Sequence, residues 1–100
     1  MRVIDLGSRA PFSPRGVVKD EVVVTDQFKF LLIRFESGQQ VAPCVMARNT
    51  GFLVLEGTIK VTDDGEQSVV PAGSLVLVPG GHTRQIEALS RSSVVALQYE

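Results

Sequence analysis

The stretch Gly38–Arg84 reads GQQVAPCVMARNTGFLVLEGTIKVTDDGEQSVVPAGSLVLVPGGHTR. Short apolar runs rich in β-branched residues alternate here with turn residues, a spacing that belongs to strands and not to helices. Within it Phe52–Leu55 and Thr58–Thr62 flank Gly57, and Asp63-Asp64-Gly65 is a tight hairpin signal. Gln67–Val70 and Ser74–Val78 are further predicted strands, with turns at Pro71-Ala72-Gly73 and Pro79-Gly80-Gly81. The opening SGQQVAP (Ser37–Pro43) reads as a loop or turn. In Thr58–Thr62, Ile59 and Val61 fall on one face and Thr58, Lys60 and Thr62 on the other, which describes a strand with one wet side.

The same pattern continues outward. Glu21–Thr25 (EVVVT), Phe28–Phe35 (FKFLLIRF) and Ser93–Tyr99 are predicted strands, separated from each other by turn residues. Phe28–Phe35 and Leu75–Val78 are apolar on both faces, which predicts cover on both sides: a closed barrel supplies one and a partner subunit the other. The Phe residues Phe28, Phe30, Phe35 and Phe52 are read as core or subunit interface. No window shows sustained helical spacing with caps, so the fold class is all-β, a sandwich or a barrel.

Composition sets the outer limits. One hundred residues make one domain, 1–100, able to bury somewhat over ~60% of its unfolded surface. The Pro- and Gly-punctuated opening, residues 1–20, is expected to be loosely structured or to contact a partner in a dimer. Ten Lys and Arg against eleven Asp and Glu leave no basic stripe, so nucleic acid is not an expected partner. No apolar run has signal-peptide or membrane-spanning length. The single cysteine excludes an internal disulfide. A soluble cytoplasmic protein with no membrane partner is the expectation.

Gly38–Arg84 also resembles the two sequence motifs of the cupin family. The first is written G-x5-H-x-H-x3-E-x6-G; Gly38, Cys44-Val45-Met46, Thr50 and Gly57 reproduce its spacing. The second is G-x5-P-x-G-x2-H-x3-N; Gly73, Pro79-Gly80-Gly81 and Arg84 match it, with Glu87-Ala88 where the Asn would stand. The resemblance implies a single cupin-type, jelly-roll-like β-barrel that pairs as a homodimer.

In that family the His, His, Glu and His positions point into the barrel and hold a divalent metal. Here they are Cys44, Met46, Thr50 and Arg84. Thr is a poor ligand, Met is soft and weak, and Arg does not release its proton to a cation. The expectation is therefore a cupin-fold protein without a cofactor, a homodimer whose barrel binds a small, possibly anionic molecule. Its pocket candidates are Cys44, Met46, Thr50, Phe52, His82 and Arg84. If Arg84 points inward, its planar fork suits a carboxylate or phosphate, with Arg48 and Gln85 as candidate helpers. If it points outward, it pairs with Glu87 or Glu56.

The alternative is a cupin enzyme. One form uses a divalent transition metal on an irregular Cys44, Met46, His82 set. Another is a metal-free isomerase or lyase with His82 and Tyr99 as proton carriers. The bland reading of His82 is an exposed turn histidine, and that of Cys44 a small buried hydrophobe.

Overall fold

The computed structural model describes residues 1–100. Nine strands follow one another with no α-helix: β1 (Val18–Val24), β2 (Phe28–Phe35), β3 (Gln40–Val45), β4 (Asn49–Glu56), β5 (Thr58–Asp63), β6 (Glu66–Pro71), β7 (Leu75–Val78), β8 (Thr83–Ala88) and β9 (Ser92–Tyr99). They form two antiparallel sheets, one ordered β1-β2-β9-β4-β7 and the other β3-β8-β5-β6. The all-β reading stands, and the predicted strands fall where they were expected apart from small shifts at their ends.

The inward faces of both sheets meet in one core. Leu31, Ile33 and Phe35 of β2, Phe52 and Val54 of β4, and Val94 and Ala96 of β9 face Ile59, Val61, Val70, Ile86 and Ala88. The period-2 alternation read in Thr58–Thr62 is what buries Ile59 and Val61 here. The Asp63-Asp64-Gly65 turn has positive φ at its two central residues, Asp64 and Gly65, the two-residue hairpin geometry that matches strand twist. Gly57 has φ +79°, and a Cβ there would overlap the carbonyl oxygen of Arg91 and the side chain of Ser92.

Two segments differ from the sequence reading. The predicted loop Ser37–Pro43 contributes most of β3, a strand with little apolar alternation because it lies at a sheet edge and carries a bulge between Val41 and Cys44. Thr83–Ala88, not assigned as a strand, is β8 at the centre of the second sheet, between β3 and β5. Its inward set is Arg84, Ile86 and Ala88, and an inward arginine hides the alternation.

Cover on the outer face of the five-stranded sheet is uneven. Over Val22, Leu32 and Val95 lie Ile4 and Leu6 of the chain's own opening segment. Arg34 Nη2 holds that segment by donating to the carbonyls of Leu6 (2.9 Å) and Arg9 (3.4 Å), and Arg9 Nε pairs with Asp20 at 2.7 Å. Leu75 and Leu77 of β7 point outward and remain 61% and 59% exposed, so within one chain β7 is covered on one side only. No helix of the chain is long and apolar enough to cross a membrane.

Candidate functional site

The barrel holds a recess of about 110 Å³ between the two sheets. Its wall is apolar: Leu31 and Ile33 of β2, Ala96 of β9, Val41 of β3, Ile86 of β8 and Phe52 of β4. Cys44 and Met46 line it from the β3 side, and Lys19, Gln85 and Gln98 add polar atoms. The lining thus contains two cations, Lys19 and Arg84, and no acidic side chain.

Arg84 decides the character of this recess. It is only 8% exposed, and Nη1 donates to the hydroxyl of Thr50, itself fully buried on β4. Its guanidinium carbon lies 5.3 Å from the centroid of the Phe52 ring, a cation–π contact. No carboxylate pairs with it. The outward reading is thereby corrected: Glu87 is taken by Lys60 at 3.1 Å, and Glu56 accepts from Ser93 and, at 3.4 Å, from Arg34. Asp63, which is opposite Arg84 in the β5–β8 ladder, is turned to His82 instead.

The strand that carries Arg84 is anchored at its start. The β7–β8 turn docks on the β3–β4 turn: Gly80 N–H donates to Asn49 Oδ1 at 3.0 Å and Gly81 N–H to the Met46 carbonyl at 2.8 Å. A Cβ on Gly80 would overlap the Ala47 carbonyl, so this approach requires glycine. Asp64 then receives the Thr83 N–H at 2.7 Å, which fixes β8 one residue before Arg84.

His82 does not join the recess. Its Nδ1 lies 2.7 Å from Asp63 Oδ1 and 3.5 Å from Asp64 Oδ2. The hydrogen bond to Asp63 raises its pKa above the ordinary 6.5, with burial opposing and the charges of Asp64 and Asp63 assisting. The set Cys44, Met46 and His82 is therefore not assembled as a metal site. Tyr99 lies on the opposite side of β9, beside Phe28, Phe30 and Leu97, so it shares no space with His82 as a proton-carrying pair. Arg48 is also elsewhere, bonded to the Asp26 carbonyl and to Glu100.

Of the residues singled out in the sequence, Cys44, Met46, Phe52 and Arg84 line one space and Thr50 supports it from behind. Lys19 and Gln98 went unnoticed, since nothing in their local pattern marks them as inward. Asp63 and Asp64 were read only as turn residues; their link to His82 needs the β5–β8 register, which the sequence does not display.

Solved structures with this fold are numerous. An RmlC-like cupin protein from Desulfovibrio desulfuricans aligns over 99% of this chain and 96% of its own, with TM-score 0.89 and 20% identity. A cupin superfamily protein from Desulfitobacterium hafniense aligns over 98% and 90%, with TM-score 0.87 and 19% identity. The salicylate 1,2-dioxygenase of Pseudoaminobacter salicylatoxidans shares the fold over 84% of this chain and 25% of its own, with TM-score 0.79 and 20% identity. No family model and no curated protein sequence matches. At these identities the likeness establishes the cupin β-barrel and nothing narrower.

A resident metal, as the fold family implies, does not fit the residues present. Arg84 brings its own fixed positive charge to the recess, and the thiol of Cys44 and thioether of Met46 are the only soft donors beside it.

Proposed function

We propose that this cupin-fold chain is a small-molecule-binding protein whose barrel recess takes an anion on Arg84, and that it acts as a homodimer. One observation carries the reading: an arginine more than nine-tenths buried, in an apolar recess, without any carboxylate partner. A buried charge left unpaired costs several kcal/mol, and an anionic ligand offsets that cost by completing the pair. Nε, Nη2 and one Nη1 hydrogen of Arg84 have no protein acceptor, which leaves a fork of donors for such a group.

The recess holds a ligand of roughly four to six non-hydrogen atoms, judged from a cavity of ~150 Å³ that takes a benzene ring. A compound of that size with one charge-assisted pair binds with a Kd on the order of 10 µM to 1 mM. At ten times Kd it stabilises the fold by about 1.4 kcal/mol, a rise in Tm of roughly 5–10 °C for a domain of this size. Homodimerisation is supported by the uncovered face of β7 and β4, where Leu75 and Leu77 stand opposite Leu53 and Gly51.

Thermal unfolding with a panel of small anions and of divalent metal ions, on wild type and Arg84→Gln, tests the reading. Anions should raise Tm in the wild type only, and metals in neither. A Tm raised by a metal and by no anion would replace the anion reading with a metal site rebuilt on other donors.

A further inference from the structure

The make-up of the recess narrows the class of anion, given that an anion binds there. We infer that the ligand is a small monocarboxylic acid with an apolar body, its carboxylate on Arg84 and its carbon body in the space that the thiol of Cys44 lines.

Charge argues for a monoanion. The deep part of the recess offers a single guanidinium, whose planar fork matches a carboxylate two bonds at a time. A phosphate carries about two charges at neutral pH and calls for several strong donors. Helix N-termini commonly supply these, and this chain has no α-helix. The other cation, Lys19, belongs to edge strand β1, where its side chain is exposed.

Shape argues for a carbon body. Beyond Arg84 the wall is made by Leu31, Ile33, Val41, Ile86 and Ala96, which offer an alkyl or aryl group burial and an inorganic oxyanion nothing. The position of Cys44 follows from strand register. Cys44 is the ladder partner of Arg84 across β3 and β8, and both side chains line the recess. Directly opposed residues on one face have Cβ atoms about 4.5–5.5 Å apart. Both line a recess of about 110 Å³, so a carboxylate on the guanidinium keeps its carbon body in the same small space as the sulfur.

This shared space gives a direct test, because iodoacetate is itself a small carboxylate with a leaving group on the carbon next to its carboxylate. Alkylation forms an S–C bond and breaks the C–I bond; iodide departs, and the thiol proton goes to the buffer. Cys44 is the only cysteine, so intact-mass kinetics report it alone. For an ordinary thiolate the neutral reagent iodoacetamide is faster, since the charge of iodoacetate repels it.

In the wild type the order should invert, with iodoacetate faster. The iodoacetate-to-iodoacetamide rate ratio should fall at least about 10-fold in Arg84→Gln, and also fall in Arg84→Lys, which keeps the charge and loses the fork. Propionate or butyrate should slow the iodoacetate reaction, and inorganic phosphate at matched ionic strength should not. Protection by phosphate as strong as by butyrate would overturn the carboxylate assignment and leave the anion reading standing. Faster reaction with iodoacetamide in wild type and variants alike, with no protection by any anion, would overturn both. Should Cys44 react with neither reagent, calorimetric titration with butyrate decides: saturable binding lost in Arg84→Gln supports the assignment, and no binding overturns it.

Discussion

At the scale of single residues, an arginine that is 8% exposed and lacks a carboxylate partner opposes folding, because its desolvation is only partly offset by Thr50 and Phe52. Replacing it by an apolar side chain of similar length removes that opposition. Arg84→Met should therefore stabilise the ligand-free chain, by about 1–2 kcal/mol, while abolishing stabilisation by anions. Urea unfolding with and without ligand reads both effects, and a destabilised Arg84→Met chain would mean that Arg84 serves structure first.

His82 gives a second prediction at this scale. Its pKa is raised in the folded state by Asp63, so its contribution is fully present below the unfolded value near 6.5 and is lost as pH rises through the higher folded value. The stability gap between wild type and His82→Asn should be widest below pH 6.5 and close above the folded pKa. A gap that does not change with pH would dissociate His82 from Asp63 in solution.

At the scale of elements, strands and turns differed in how openly the sequence displayed them. Thr58–Thr62 and the Asp63-Asp64-Gly65 turn were legible because alternation and positive-φ residues are local signals. β3 and β8 were not, and they carry Cys44 and Arg84. The reason is physical: β3 is an edge strand with Pro43 and a bulge, and β8 spends one inward position on an arginine. The residues proposed to meet the ligand are thus the ones that break the pattern by which a strand is recognised. The resemblance in motif spacing named Cys44, Met46, Thr50 and Arg84, but their directions waited on the β3–β8 register.

The β4–β5 turn also belongs to this scale. Gly57→Ala forces a left-handed φ on a residue with a Cβ that meets Arg91 and Ser92, and should cost about 2–4 kcal/mol. Chemical denaturation of that variant checks the figure; a loss under 0.5 kcal/mol would show that the β4–β5 turn has room to relax.

At the scale of the whole molecule, one sheet face is half dressed. The opening segment covers Val22, Leu32 and Val95, whereas Leu53, Leu75 and Leu77 on the same sheet remain open. A charge placed there should disfavour self-association without touching the recess. Leu77→Glu is expected to sediment as a monomer with anion binding retained, against a dimeric wild type. A wild-type monomer would remove the homodimer from the proposal.

The central claim is that a guanidinium occupies the heart of the barrel and waits there for an acid. The measurement that meets it most directly is nuclear magnetic resonance of the arginine Nε–H groups during titration with butyrate. Arg84 should shift and saturate, while Arg9, already bonded to Asp20, and Arg34, bonded to Ser93 and the opening segment, should stay in place. An Arg84 signal unmoved by any small anion, or one displaced instead by a single equivalent of a divalent metal, would contradict it.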